Sequence, residues 1–164
     1  MVMPRVLWSG LFFLVQKCTL SLALFVVVMY IGVFSKDSKV GRWLRPIRAE
    51  VSIIAWILSM GHIAVYLAAY LPRVFAGGSL DVNIAVSFVV AIILLVLLLL
   101  LGVTSFNGIK RRMKAETWRR VQLLAYPFFF LVYAHLLLML LPSALQGGST
   151  AQISVAVYSV VFLA

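Results

Sequence analysis

The 164-residue chain holds four acidic side chains, two histidines and one cysteine. Each scarcity excludes a class of chemistry. A single cysteine, Cys18, leaves no intrachain disulfide and no thiolate metal site, and in apolar surroundings it reads as a small packing residue. With so few carboxylates and imidazoles, zinc and iron–sulfur sites lack ligands. Apolar runs without acidic residues also lack the groups a transporter uses to couple ions, so a transporter or channel is disfavoured. No glycine-rich phosphate loop or dinucleotide fingerprint occurs, so these residues carry no flavin or nicotinamide module of their own.

Hydrocarbon is abundant instead. Hydrophobic residues make up 65% of the chain, more than the interior of a water-soluble domain of this size can hide. The sequence is that of an integral membrane protein, in contact with lipid and placed in the cell (inner) membrane. Its formal charge of +10 would suggest nucleic acid in a soluble protein. Here the positive residues orient membrane spans, and no nucleic-acid role is expected.

Five apolar runs cover about 18–35, 51–71, 82–103, 121–141 and 151–164, the second stopping at Pro72 and the fourth at Pro142. A helix needs about 20 residues to cross roughly 30 Å of hydrocarbon. The middle three meet that directly and the first with a residue or two of loop. The fifth, of 14 residues, reads as a span cut short. Val6–Val15 reads as a short interfacial helix: Gln16 and Lys17 interrupt it, and no small-residue cleavage site follows. The expected fold is all-α, one transmembrane domain over 1–164 built as a bundle of about five helices.

Loop charge sets the expected orientation. Lys36, Lys39, Arg42, Arg45 and Arg48 fall between runs one and two, and Lys110, Arg111, Arg112, Lys114, Arg119 and Arg120 between runs three and four. Arg73 is the only basic residue between runs two and three, and none lies between runs four and five. Eleven basic residues against one place the basic loops in the cytoplasm and the N-terminus outside.

His62 and His135 each lie within a long apolar run, where a polar ring is costly and marks a functional-site candidate. His62 is 14 residues after Arg48, and His135 is 15 after Arg120. On two spans running in the same direction, these imidazoles fall at similar depth. That arrangement suits one b-type haem held between two neutral imidazoles. A histidine in a membrane helix can also bond a neighbouring helix or face a cavity without any metal.

The order of residues around both histidines resembles a known family. Arg48-Ala-Glu-Val-Ser-Ile-Ile-Ala-Trp-Ile-Leu-Ser-Met-Gly-His62, with Tyr66 a turn later, is similar to the haem-bearing helix of ferric reductase-like transmembrane domains. So is Thr104-Ser105-Phe106-Asn107-Gly108, followed by Arg111-Arg112, Trp118, Arg120, Leu124, Tyr126 and His135-Leu136. The resemblance spans about 20–141 and is strongest to the membrane haem subunits that serve periplasmic methionine sulfoxide reductases. It implies haem b ligated by His62 and His135. Where the family usually has another histidine, 13 residues before His135, this chain has Gln122; the matching position before His62 is Ala49. The implied count is one haem rather than two.

The expectation is an electron-transfer subunit rather than a complete enzyme. It would pass single electrons between a quinone or flavin donor and a partner protein on the outer face. The rival is a non-catalytic membrane anchor or assembly subunit of the same fold without haem. Among other residues, Arg73 suits either a haem propionate or the membrane interface. Asn107-Gly108 reads as a helix stop with glycine at positive φ. Ser59, Ser87 and Gln122 suit bonds between helices.

Overall fold

The computed structural model describes residue 10 and residues 18–34, 38–76 and 81–163. The expected interfacial helix over Val6–Val15 therefore lies, Gly10 apart, outside the described residues, as do Arg5, Lys17 and Lys36. Beyond Gly10, eight helices are described: α1 (Thr19–Val33), α2 (Lys39–Leu44), α3 (Arg48–Phe75), α4 (Val82–Ser105), α5 (Asn107–Lys110), α6 (Ala115–Gln122), α7 (Ala125–Leu145) and α8 (Ser149–Leu163). Three stretches are long and apolar enough to cross a membrane: Arg48–Phe75, Val82–Ser105 and the run Ala115–Leu145. Helices α1 and α8 are apolar but have 15 residues each, about 22 Å of rise against about 30 Å of hydrocarbon.

The chain divides into two compact units, Met1–Gly78 and Ser79–Ala164, and each is described by itself. In the first, α1 packs against α3. Ser21 of α1 bonds the stretch of α3 around Ala55 and Ser59, whereas Gly32 lies under the Arg48 guanidinium, so the two helices run antiparallel. The contact is built from small residues. Ala55 is wholly buried and Ser21 and Ser59 nearly so, which allows the close backbone approach by which membrane helices associate. Ser21 Oγ donates to Ala55 O at 2.7 Å and meets Ser59 Oγ at 2.5 Å. At the opposite end Arg45 Nη2 donates to Phe34 O at 2.7 Å, satisfying a carbonyl at the α1 C-terminus. Ser38 caps α2 by accepting from Gly41 N at 2.9 Å.

In the second unit α4 packs against α7, and α7 against α8. Ser87 pairs with His135 and Thr104 with Gln122, so α4 and α7 are antiparallel. Tyr133 Oη meets Ser159 Oγ at 2.8 Å, and Gln152 Nε2 donates to Ala144 O at 3.0 Å, so α8 folds back along α7. The turn between them needs its glycines. Gly147 has φ +86°, and a side chain at Gly148 would start 2.8 Å from Ser143 Oγ and 2.9 Å from Ser143 O.

Three expectations need correction. Pro72 and Pro142 do not end their helices, since α3 continues to Phe75 and α7 to Leu145. Proline removes its own donor, but the helix resumes where Ala76 N reaches Pro72 O at 3.0 Å and Gln146 N reaches Pro142 O at 3.3 Å. Gly108 does not have positive φ. The break comes two residues before it, where Phe106 takes an extended conformation (φ −69°, ψ 133°) and Asn107–Lys110 restarts as a short helix. The fourth apolar run is itself interrupted. Leu123 N is shared between Arg119 O and Arg120 O, Leu124 N bonds Val121 O at 3.0 Å, and this tight turn separates α6 from α7.

Among the described residues, wide apolar faces are exposed. Val86, Val89, Ile93, Val96, Leu100 and Val103 form one exposed stripe along α4. A stripe of that length is a liability in water and suits lipid tails. Trp43, 84% exposed beside Lys39 and Arg42 on α2, has the amphipathic character of residues at membrane interfaces.

Candidate functional site

Both histidines lie in the middle of span-length helices. His62 is 14 residues from the start of α3 and 13 from its end; His135 is 10 from either end of α7. They belong to different units.

On α3, His62, Tyr66, Tyr70 and Arg73 recur at the i, i+4, i+8, i+11 spacing of one helix face. The Tyr66 ring lies 4.7 Å from the His62 ring, tilted by 48°. Tyr70 stacks on Tyr66 with centroids 6.0 Å apart, and the Arg73 guanidinium carbon is 5.8 Å from the Tyr70 ring. The result is an aromatic ladder from the middle of the helix to its end, closed by a cation over a π face. Arg73 is exposed and so placed to meet an anionic group.

On α7, His135 Nδ1 is 2.9 Å from Ser87 Oγ of α4, and Ser87 is only 2% exposed. One ring nitrogen of this histidine is thus held by a neighbouring helix.

A third cluster occupies the other end of α4. Gln122 Nε2 donates to Thr104 Oγ1 at 3.2 Å, and Thr104 Oγ1 donates to Leu100 O at 2.7 Å. Trp118 Nε1 donates to Thr104 O at 3.1 Å, and Lys110 Nζ sits 4.5 Å from the Trp118 ring. The amide that stands where the family usually has a second histidine therefore ties α6 to α4. Nearby, Arg120 pairs with Glu116 at 2.5 Å on the exposed face of α6.

Sequence reasoning identified both histidines and marked Ser59, Ser87 and Gln122 as polar links between helices. All three make such links. It missed Tyr70 and the pairing of Tyr133 with Ser159. The four-residue spacing of Tyr66 and Tyr70 behind His62 was the available signal for the first. Among the described residues, no three of His, Cys, Asp and Glu come together as a metal-binding group.

These features define a helical membrane protein with one imidazole at the centre of each of two span-length helices. Residues 17–133 match the family described as ferric reductase like transmembrane component, and the chain belongs to that family. The match includes His62 and ends two residues before His135. The chain is also 37% identical over 168 residues to an uncharacterized protein of Treponema pallidum (strain Nichols). That similarity covers 96% of this chain and 46% of the relative, so the chain spans about half of the relative's length. No solved structure matches.

Proposed function

We propose that this chain is a membrane-embedded b-type cytochrome subunit that carries single electrons through one haem, which His62 and His135 would hold. Family membership indicates a membrane subunit with a redox-related role. The observation that carries the haem reading is the placement of the chain's two histidines, each at the middle of a span-length helix, with His135 gripped at Nδ1 by a buried hydroxyl. Haem iron supplies a one-electron couple when bound, and two imidazoles leave it no open position for oxygen chemistry. The residues of the chain hold the two imidazoles, exclude water from them with apolar helices, and offer Arg73 to a propionate.

In this reading five spans cross the inner membrane, the basic loops face the cytoplasm, and electrons pass from a quinone or flavin to a partner protein on the outer face. Similarity around both histidines to the haem subunits of periplasmic methionine sulfoxide reductases supports that direction of transfer. The bond from Gln122 to Thr104 supports a single haem, because the amide at the inner position is committed to packing.

Purified full-chain protein tests the proposal by its reduced-minus-oxidised absorption spectrum. The expected result is a b-type spectrum at about one haem per chain, lost in His62→Ala and in His135→Ala. A colourless protein would favour the anchor or assembly role instead.

A further inference from the structure

The geometry points to Ser87 as the positioning residue of His135: its hydroxyl fixes the imidazole through Nδ1 and so makes Nε2 the ligating nitrogen. This rests on the haem reading above and adds a residue to it. Ser87 Oγ lies 2.9 Å from His135 Nδ1, across the contact between α4 and α7. At 2% exposure, the serine end of that bond is shielded from competing water. Ring rotation about the Cβ–Cγ bond would break it, so the plane of the imidazole is set by a residue 48 positions away.

A hydroxyl suits this task because it works in both directions. With the ring unligated, Ser87 can donate its proton to a bare Nδ1. With Nε2 bound to a metal, the ring proton must sit on Nδ1, and the same oxygen accepts it. A ligating histidine characteristically donates its other ring N–H to an outer partner that fixes the ring and raises its basicity. Greater basicity favours the ferric over the ferrous state. Ser87, being neutral, does so less than a carboxylate would. The cost of losing such a partner is about 10- to 100-fold in metal affinity.

The test compares Ser87→Thr, which keeps the hydroxyl and adds a methyl, with Ser87→Val, which matches that threonine in shape but carries a second methyl in place of the hydroxyl. Ser87→Ala serves as a smaller control. In full-chain protein, haem affinity and midpoint potential are measured by titration. The nitrogen shifts of 15N-labelled histidine are read on the haem-free protein. Ser87→Val and Ser87→Ala should weaken haem binding at least about tenfold and raise the potential, while Ser87→Thr stays close to the parent. The His135 Nδ1 shift should move in Val and Ala and hold in Thr. Equal affinity and potential in all variants would overturn the inference. So would an Nδ1 shift indifferent to the hydroxyl, and this last readout stands even if the parent protein binds no haem. Failure of the parent to bind haem would overturn the proposed function instead.

Discussion

Replacing Ser59 by alanine should cost little, replacing Ser21 about twice as much, and the two losses should not add. Ser21 commits its proton to Ala55 O at 2.7 Å, so Ser59 donates in the 2.5 Å contact between the two hydroxyls. Setting aside the Cys18 thiol, a weak hydrogen-bonding group that lies against both hydroxyls, Ser21 takes part in two bonds between α1 and α3, and Ser59 in one. Side-chain hydrogen bonds between membrane helices contribute about 0.6 kcal/mol on average and about 1.7 kcal/mol at most. The expected costs are therefore ~0.6 kcal/mol for Ser59→Ala and ~1.2 kcal/mol for Ser21→Ala. After Ser21→Ala the Ser59 hydroxyl can turn to Ala55 O, four residues back on its own helix, so no polar group is orphaned. The double variant should also cost ~1.2 kcal/mol, a coupling of ~0.6 kcal/mol. Ser21→Leu should be worse, adding about 1–3 kcal/mol of overpacking, because Ala55 at 0% exposure leaves no space. Reversible unfolding in mixed detergent micelles, followed by circular dichroism, measures all four. Equal losses for the two serines, or a double variant near ~1.8 kcal/mol, would refute the assignment of bonds.

Three further outcomes follow from particular residues. Gly148→Ala should destabilise by about 1–3 kcal/mol, because its Cβ would meet the Ser143 backbone, whereas Gly108→Ala should be neutral or stabilising, having nothing within 4 Å; thermal melts separate them. Gln122→His should leave the haem content at about one per chain, since Ala49 offers no second ligand, and a ratio near two would contradict the single-haem reading. In a Cys18→Ser background, Gln146→Cys should react with a membrane-impermeant maleimide on intact cells and Lys114→Cys should not. Both residues are exposed, so the reverse pattern would invert the orientation drawn from loop charge.

Fold class was legible because hydrocarbon must be matched by uninterrupted apolar sequence. The three span-length stretches fall where the runs 51–71, 82–103 and 121–141 were read. Their ends were less legible. Proline reads as a stop at Pro72 and Pro142, yet it deletes only its own N–H, and both helices continue for another turn. In the sequence, glycine marks the break before α5, whereas the extended residue is Phe106, whose side chain carries no local signal for it. At the candidate site, the ladder from His62 to Arg73 is written in its spacing because one helix carries it. The partnership of Ser87 with His135 joins residues 48 apart, and only the packing of α4 on α7 shows it. The same holds for Thr104, which receives Gln122 and Trp118 from beyond a turn.

The central claim is that His62 and His135 ligate one iron. Electron paramagnetic resonance of the oxidised, purified full-chain protein tests it most directly. The account predicts a low-spin ferric signal of bis-imidazole type at about one spin per chain, converted to high spin or abolished in His62→Ala and likewise in His135→Ala. A protein without ferric haem, or a low-spin signal that survives both substitutions, would contradict it.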